Sequence, residues 1–295
     1  MTADSPPDLT PAIPVFIRRL HADSTCKTYR REVERFLAWL ESNAPLDDEI
    51  LPRYVEHLRA RKLSATFIAW RATVIITFLR DCHRQGVLDR DVTLGYVPPR
   101  GTRGFAVKVL SADELRRLLR TPDRRSWLGR RDLAALVCMS IGGLRSGEVT
   151  RLRICDVEIS GSRVNLRVRG KGDRIRLVAF ESRNAAPLRS WAKVRGDGAP
   201  EELWLLARRP RVGEPVRPMA VSGVDYVVRK NGRAAGLERL HAHLLRHSCA
   251  SLALAGGANL IQVRDLLGHG SVLTTSRYLH ATESDRPTTS YVAIR

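Results

Sequence analysis

The stretch HAHLLRHSCASLALAGGANLIQVRDLLGHGSVLTTSRYLH, residues 241–280, decides how this chain is read. Leu244 to Leu254 forms an apolar run at helical spacing. Asn259 to Leu267 predicts a second helix ended by Gly268, and Ser271 through Tyr278 a third. The same forty positions carry His243 and Arg246 in an H-x-x-R interval, His269 directly after Gly268, and Tyr278 nine residues beyond it.

Working back from there, two more short stretches carry polar groups of the same kind. GLRSGE (Gly143 to Glu148) follows a buried helix that begins near Arg131 and turns at Gly142-Gly143; a short helix through Glu148 comes next. GKGD (Gly170 to Asp173) is the turn of a hairpin between two β-like runs, Arg163 to Arg169 and Arg174 to Phe180. Helical spacing returns from Ser222 to about Ala235. The expected class is therefore mainly α with a small β-sheet.

These residue types suit phosphoryl transfer on a nucleic acid. Negative charge on a transferring phosphoryl group spreads over its non-bridging oxygens, and guanidiniums such as Arg145 and Arg246 offer the paired donors that match it. A tyrosine hydroxyl, with a reference pKa of about 10, needs a proton acceptor or a strongly positive site to attack near neutral pH, and His243 and His269 are placed to help. Only six lysines are present, and Lys171 sits between glycines in a turn, where it can deliver a proton to a leaving oxygen as arginine cannot.

In order and spacing the five stretches GLRSGE, GKGD, HLLRH, LLGH and TTSRYLH resemble the tyrosine recombinase, or phage integrase, family, with Xer-type site-specific recombinases among its members. The resemblance assigns Arg145, Lys171, His243, Arg246 and His269 to the catalytic set, Tyr278 to the nucleophile, and Glu148 to an acidic position that orients the first arginine. It implies a two-domain C-shaped clamp on double-stranded DNA: a helical core-binding domain over residues 14–96, a linker over 97–106, a catalytic domain over 107–282 and a tail over 283–295. It also implies a 3′-phosphotyrosyl intermediate, no cofactor, metal or ATP, and a homotetramer on two DNA sites or an assembly with a second recombinase. The alternatives are a type IB topoisomerase-like DNA-relaxing enzyme, against which His269 speaks, and an inactive DNA-binding relative.

Other readings attach to single residues. Tyr278 is alternatively a packing tyrosine, and Tyr291 a fallback nucleophile in a polar tail. His243 and His247 stand four apart, a zinc-like spacing, yet the glutamate of H-E-x-x-H is missing and no Cys or Asp completes a site. His241 lacks the H-x-x-R interval, and His247 and His280 read as surrounding groups.

The bulk properties agree with a polyanionic partner. Net charge is +19, spread along 295 residues. A membrane surface would favour one basic amphipathic helix, and none stands out; an arginine-rich protein of no special partner is the plain alternative. Cys26, Cys82, Cys138, Cys155 and Cys249 form an odd set without a C-x-x-C pair, as expected for reduced thiols in a cytoplasmic protein. Residues 1–14 lack the pattern of a signal peptide. The longest apolar stretch, Leu133 to Leu144, falls short of the roughly 20 residues of a membrane span and reads as a buried helix.

The first third reads as a helical bundle. After Ser24 as a candidate cap, Tyr29, Val33, Phe36, Leu37 and Leu40 share a face. A second helix spans about Asp47 to Arg61, and a third starts at Ser64, carries Phe67, Ile68, Val74, Ile75, Phe78 and Leu79, and stops at Gly86. Arg30, Arg31, Arg59, Arg61, Lys62, Arg71 and Arg80 are expected to face outward. VPPRGTRG (Val97 to Gly104) reads as a linker. Beyond it, Ser111 and Glu114 predict a capping box, with Leu110 and Leu115 as a hydrophobic staple.

Overall fold

A computed structural model describes residues 7–20, 23–43, 45–100, 109–170, 173–196, 202–207 and 217–269. The chain separates into two compact units, Met1–Gly104 and Phe105–Arg295.

In the first unit the apolar faces read from the sequence turn inward. Helix α1 spans Ala12–Arg18, α2 Asp23–Leu40, α3 Ile50–Ala60 and α4 Ala65–Arg84. Val33, Phe36 and Leu40 of α2 meet Ile68, Ile75, Phe78 and Leu79 of α4 in one buried cluster. Ser64 caps α4, its side chain accepting from the Phe67 N–H, and Gly86 follows the helix at φ 72°.

Three features of this unit depart from the sequence reading. α2 begins at Asp23, one residue before the Ser24 expected as its cap. α1 was not anticipated as a separate helix; its Ala12, Ile13 and Phe16 are buried, with Phe16 edge-on to Phe78 at 5.4 Å. Arg71 does not face outward: it is 5% exposed and ion-pairs with buried Glu32 at 2.7 Å. Position 71 shares a face of α4 with Ile68 and Ile75, and helical periodicity prevails there because a buried carboxylate meets the guanidinium.

The second unit opens with α5 (Ala112–Arg120). Its capping box is present: the Ser111 side chain accepts from Glu114 N–H, and the Glu114 carboxylate accepts from Ser111 N–H. Next come α6 (Trp127–Ser140), α7 (Ser146–Arg151), a 3₁₀ turn (Ile154–Asp156), and strands β1 (Val157–Ser160), β2 (Arg163–Arg169) and β3 (Ile175–Phe180). The strands pair antiparallel in the order β1-β2-β3. Helices α8 (Ser182–Arg195), α9 (Val221–Ala234), α10 (Ala242–Ala255) and α11 (Leu260–Leu267) complete the described part. β1 and α8 were not anticipated from the sequence.

α6 is the apolar segment read as a buried helix, and its residues Leu133 to Met139 are all enclosed. Val164, Leu166, Val168, Val178 and Phe180 project from one face of the sheet into the same core. Each such side chain contributes about 2 kcal/mol relative to exposure to the core that α6 and the sheet share. Among the described residues no helix is long and apolar enough to cross a membrane.

Candidate active site

The site begins where α6 ends. Gly143 has φ 65°, and a Cβ there would stand 2.6 Å from Leu267 Cδ2, so only glycine lets the chain turn this close to the end of α11. The turn delivers Arg145 in extended conformation as the N-cap of α7. Three residues on, the Glu148 carboxylate accepts the Arg145 backbone N–H at 2.9 Å and its Nη1 at 2.7 Å. One side chain thus closes the helix start and orients the arginine that follows the turn.

Arg246 enters from α10. It is 1% exposed, and its guanidinium donates to the carbonyls of Gly143 and Leu267 while lying 3.9 Å from Glu148 Oε2. It therefore ties the turn after α6 to the end of α11. The Arg145 side chain, by contrast, is 43% exposed. The two arginines share one buried carboxylate, one guanidinium enclosed and the other open to solvent.

Glu148 holds a third arginine that the sequence reading missed. Arg176 of β3 donates to both of its carboxylate oxygens, at 3.2 and 2.8 Å. The signal was present: in β3 positions 176, 178 and 180 alternate inward, so an arginine at the first of them needs a buried partner. Burial pushes the Glu148 carboxyl up. The hydrogen bonds from Arg176 and from the Arg145 backbone, with the charges of both arginines, reverse this and hold it at about 2.

His243 lies one turn before Arg246 on α10, exposed, with its ring 4.1 Å from that of buried His247 in an edge-on contact. Among the described residues no group of three or more His, Cys, Asp or Glu that could hold a metal ion is present. His243 also borders an open cleft of about 510 Å³ shared with Ser146, Asp225, Arg229 and His241. His241 serves the helix itself, since its Nδ1 accepts the Leu244 N–H and caps α10.

His269 follows Gly268, which ends α11 in the left-handed conformation, and its N–H donates to the Arg264 carbonyl at 3.1 Å. The structure thus brings Arg145, Glu148, Arg246 and the Leu267–His269 turn together, with His243 one turn from Arg246. Lys171 and Tyr278 lie outside the described residues, as does the expected helix from Ser271. The hairpin stem that leads to Lys171 is described: Gly170 N–H donates to Arg174 O at 2.8 Å, and a Cβ at Gly170 would stand 3.9 Å from Glu148 Oε1.

A model of the phage integrase family matches residues 108–285. Among curated proteins, tyrosine recombinase XerC of Chromohalobacter salexigens is 31% identical over 263 residues, covering 86% of this chain and 85% of that protein. XerC of Azotobacter vinelandii is 30% identical over 261 residues, covering 87% and 85%. Among solved structures, the XerH site-specific recombinase bound to its palindromic difH substrate in a post-cleavage complex matches with a TM-score of 0.72 at 20% identity, covering 88% of this chain and 77% of that one. A lambda integrase tetramer bound to a Holliday junction matches at 0.69 and 18% identity, covering 95% and 78%. At these identities the structural likeness speaks for the fold.

Proposed function

The chain belongs to the phage integrase family and is a tyrosine recombinase, an enzyme that cleaves and rejoins DNA strands; from that premise we propose that Tyr278 is its nucleophile and that Arg145, Lys171, His243, Arg246 and His269 form the catalytic set. The observation that carries this reading is the arginine pair on one buried carboxylate. Glu148 fixes Arg145 and stands 3.9 Å from Arg246, at the point where the GLRSGE, H-x-x-R and LLGH stretches meet. The shared cationic site is suited to the charge that builds on a phosphoryl group in transfer.

The Tyr278 oxygen attacks the phosphorus of a DNA phosphodiester, a 3′-phosphotyrosyl bond forms, and the bond to the 5′ oxygen breaks. The tyrosine proton passes to His243 or His269, and Lys171 protonates the departing 5′ oxygen. The ester retains the energy of the broken bond, so a 5′ hydroxyl reverses the step without ATP. Double-stranded DNA is the partner, gripped largely through phosphates and therefore with strong salt dependence, as a net charge of +19 favours. Exchange between two sites takes four copies of the chain, or copies shared with a second recombinase; the lambda integrase tetramer on a Holliday junction is the support for this.

The test is covalent capture from a pool of random-sequence duplexes nicked to prevent religation. The wild-type chain should form a protein–DNA adduct stable to detergent, and Tyr278→Phe should form none. An adduct formed by Tyr278→Phe at the wild-type rate, or no adduct from the wild type at any duplex, overturns the reading.

A further inference from the structure

Arg176 has a place in the fold that none of the roles above requires. Its side chain is 11% exposed, and it stands on β3 five residues after Lys171. Besides the two bonds to Glu148, its Nε donates to the Leu266 carbonyl at 2.9 Å. The planar guanidinium thus spans two elements: the carboxylate on α7 and the last turn of α11.

The backbone around it is shaped to match. Gly268 has φ 63°, and a Cβ there would lie 3.0 Å from Arg176 Nη1 and 3.1 Å from its Cδ. Any larger residue would both strain the left-handed turn and press on the guanidinium. The next residue is His269. At the other end of the span, Glu148 orients Arg145 through the backbone and the side chain, and Arg246 faces the same carboxylate.

We propose that Arg176 is a positioning residue for strand cleavage: by holding the Glu148 carboxylate and the Leu266 carbonyl together, it fixes Arg145 and the His269 turn in one arrangement at the root of the Lys171 hairpin. This rests on the reading of Arg145 and His269 as groups that act on the phosphate. A surface ion pair does not meet the description, because the pair is buried, two-pronged and shared with a backbone carbonyl. Displacing a catalytic group by about 1 Å costs on the order of 100-fold in rate, and that is the loss expected when the span is cut.

The experiment uses the full chain and a nicked duplex captured by the wild type. Arg176→Gln should form the covalent adduct about 100-fold more slowly at saturating DNA, while its affinity for the same duplex stays within about 3-fold. Arg176→Lys, which keeps the charge but cannot span both partners, should recover only part of the rate. On a Glu148→Gln background the Arg176→Gln loss should shrink to less than about 10-fold, because residues acting through one another are not additive. If Arg176→Gln does not fold, Arg176→Lys carries the same comparison. An unchanged rate, a loss that multiplies in full on Glu148→Gln, or a loss confined to DNA affinity overturns the inference. Absence of any wild-type adduct instead overturns the functional reading beneath it.

Discussion

Each unit buries one glutamate under arginines, and the two clusters are built differently. In the first, buried Glu32 pairs with the enclosed Arg71, while Arg35, its side chain 54% exposed, reaches it from one turn away. The Arg71 guanidinium carbon lies 5.9 Å from the Tyr54 ring centroid and 5.8 Å from that of Phe67, so rings cover the pair. In the second, Glu148 faces Arg145, Arg176 and Arg246, and Arg145 keeps its side chain 43% exposed. The first cluster joins α2 to α4 around one enclosed guanidinium, Arg71, with Arg35 open to solvent. The second gathers three guanidiniums on its one carboxylate, with Arg176 and Arg246 enclosed and Arg145 open. A buried excess of charge is costly, so its retention makes sense where an anion such as a DNA phosphate completes the site.

The largest expected effect comes from treating Arg71 and Arg246, one enclosed guanidinium from each cluster, alike. Arg246→Ala removes the donors to the Gly143 and Leu267 carbonyls together with one of the two proposed phosphate-binding guanidiniums. Adduct formation should fall by about 10³-fold or more, the scale of a lost phosphoryl-binding arginine. Arg71→Ala should lower the melting temperature and leave cleavage per folded molecule within a few-fold of the wild type. Equal rate losses in the two variants would erase the distinction between a cluster that only joins helices and one that works on DNA.

The carboxylates give a second pair. Glu32→Ala and Glu148→Ala each strand a buried guanidinium and should cost about 3–5 kcal/mol in denaturant unfolding. Of the two, Glu148→Ala should also slow cleavage in the fraction that remains folded. A Glu148→Ala protein as stable as the wild type would mean that the three guanidiniums need no counter-charge.

How far the sequence announced these clusters depends on what held each residue in place. Local chemistry was readable: Ser64, the Ser111–Glu114 box, the Asn259 cap and Gly268 mark helix ends where predicted, and β2 keeps its expected bounds, Arg163–Arg169. β1 was not, because its four residues gain order only by pairing with β2. α8 was obscured by Pro187 within the helix; burial of Ala185, Leu188 and Trp191 outweighs the lost hydrogen bond. Arg71 and Arg176 sit at periodic inward positions, but their charge argued for solvent. Their partners, Glu32 and Glu148, are distant in sequence, and a one-chain reading has no way to pair them. Arg145, Glu148, His243, Arg246 and His269 were singled out through the resemblance of their stretches to the family's motifs, while the third guanidinium became visible only with β3 paired in the sheet and Arg176 set against Glu148.

Acid titration offers a finer comparison of the same site. Glu148 is held at about 2 against an ordinary value of 4.5. Its folded-state pKa is depressed, so its ionisation stabilises the fold fully above about pH 4.5 and the contribution is lost as pH falls from there towards 2. The gap between the two values corresponds to roughly 3 kcal/mol. Unfolding free energy should therefore drop more steeply across that window in the wild type than in Glu148→Gln. Parallel curves would show that the arginines do not favour the ionised form.

The smallest effects belong to the helix caps, and they too should differ between the units. Ser64 accepts from Phe67 N–H at 3.3 Å at the head of a twenty-residue helix with ten buried side chains, so α4 is held mainly by its packing. Ser111 accepts from Glu114 N–H at 3.1 Å at the head of nine-residue α5, in which Leu118 is the one buried side chain. Alanine at either position removes one acceptor and should cost about 1 kcal/mol or less, with Ser111→Ala the more damaging because so little tertiary contact compensates in α5. Denaturant midpoints at matched slope measure the difference, and cleavage per folded molecule should stay at the wild-type rate in both. The reverse order of the two costs would mean that α5 draws its stability from contacts other than its own cap and Leu118.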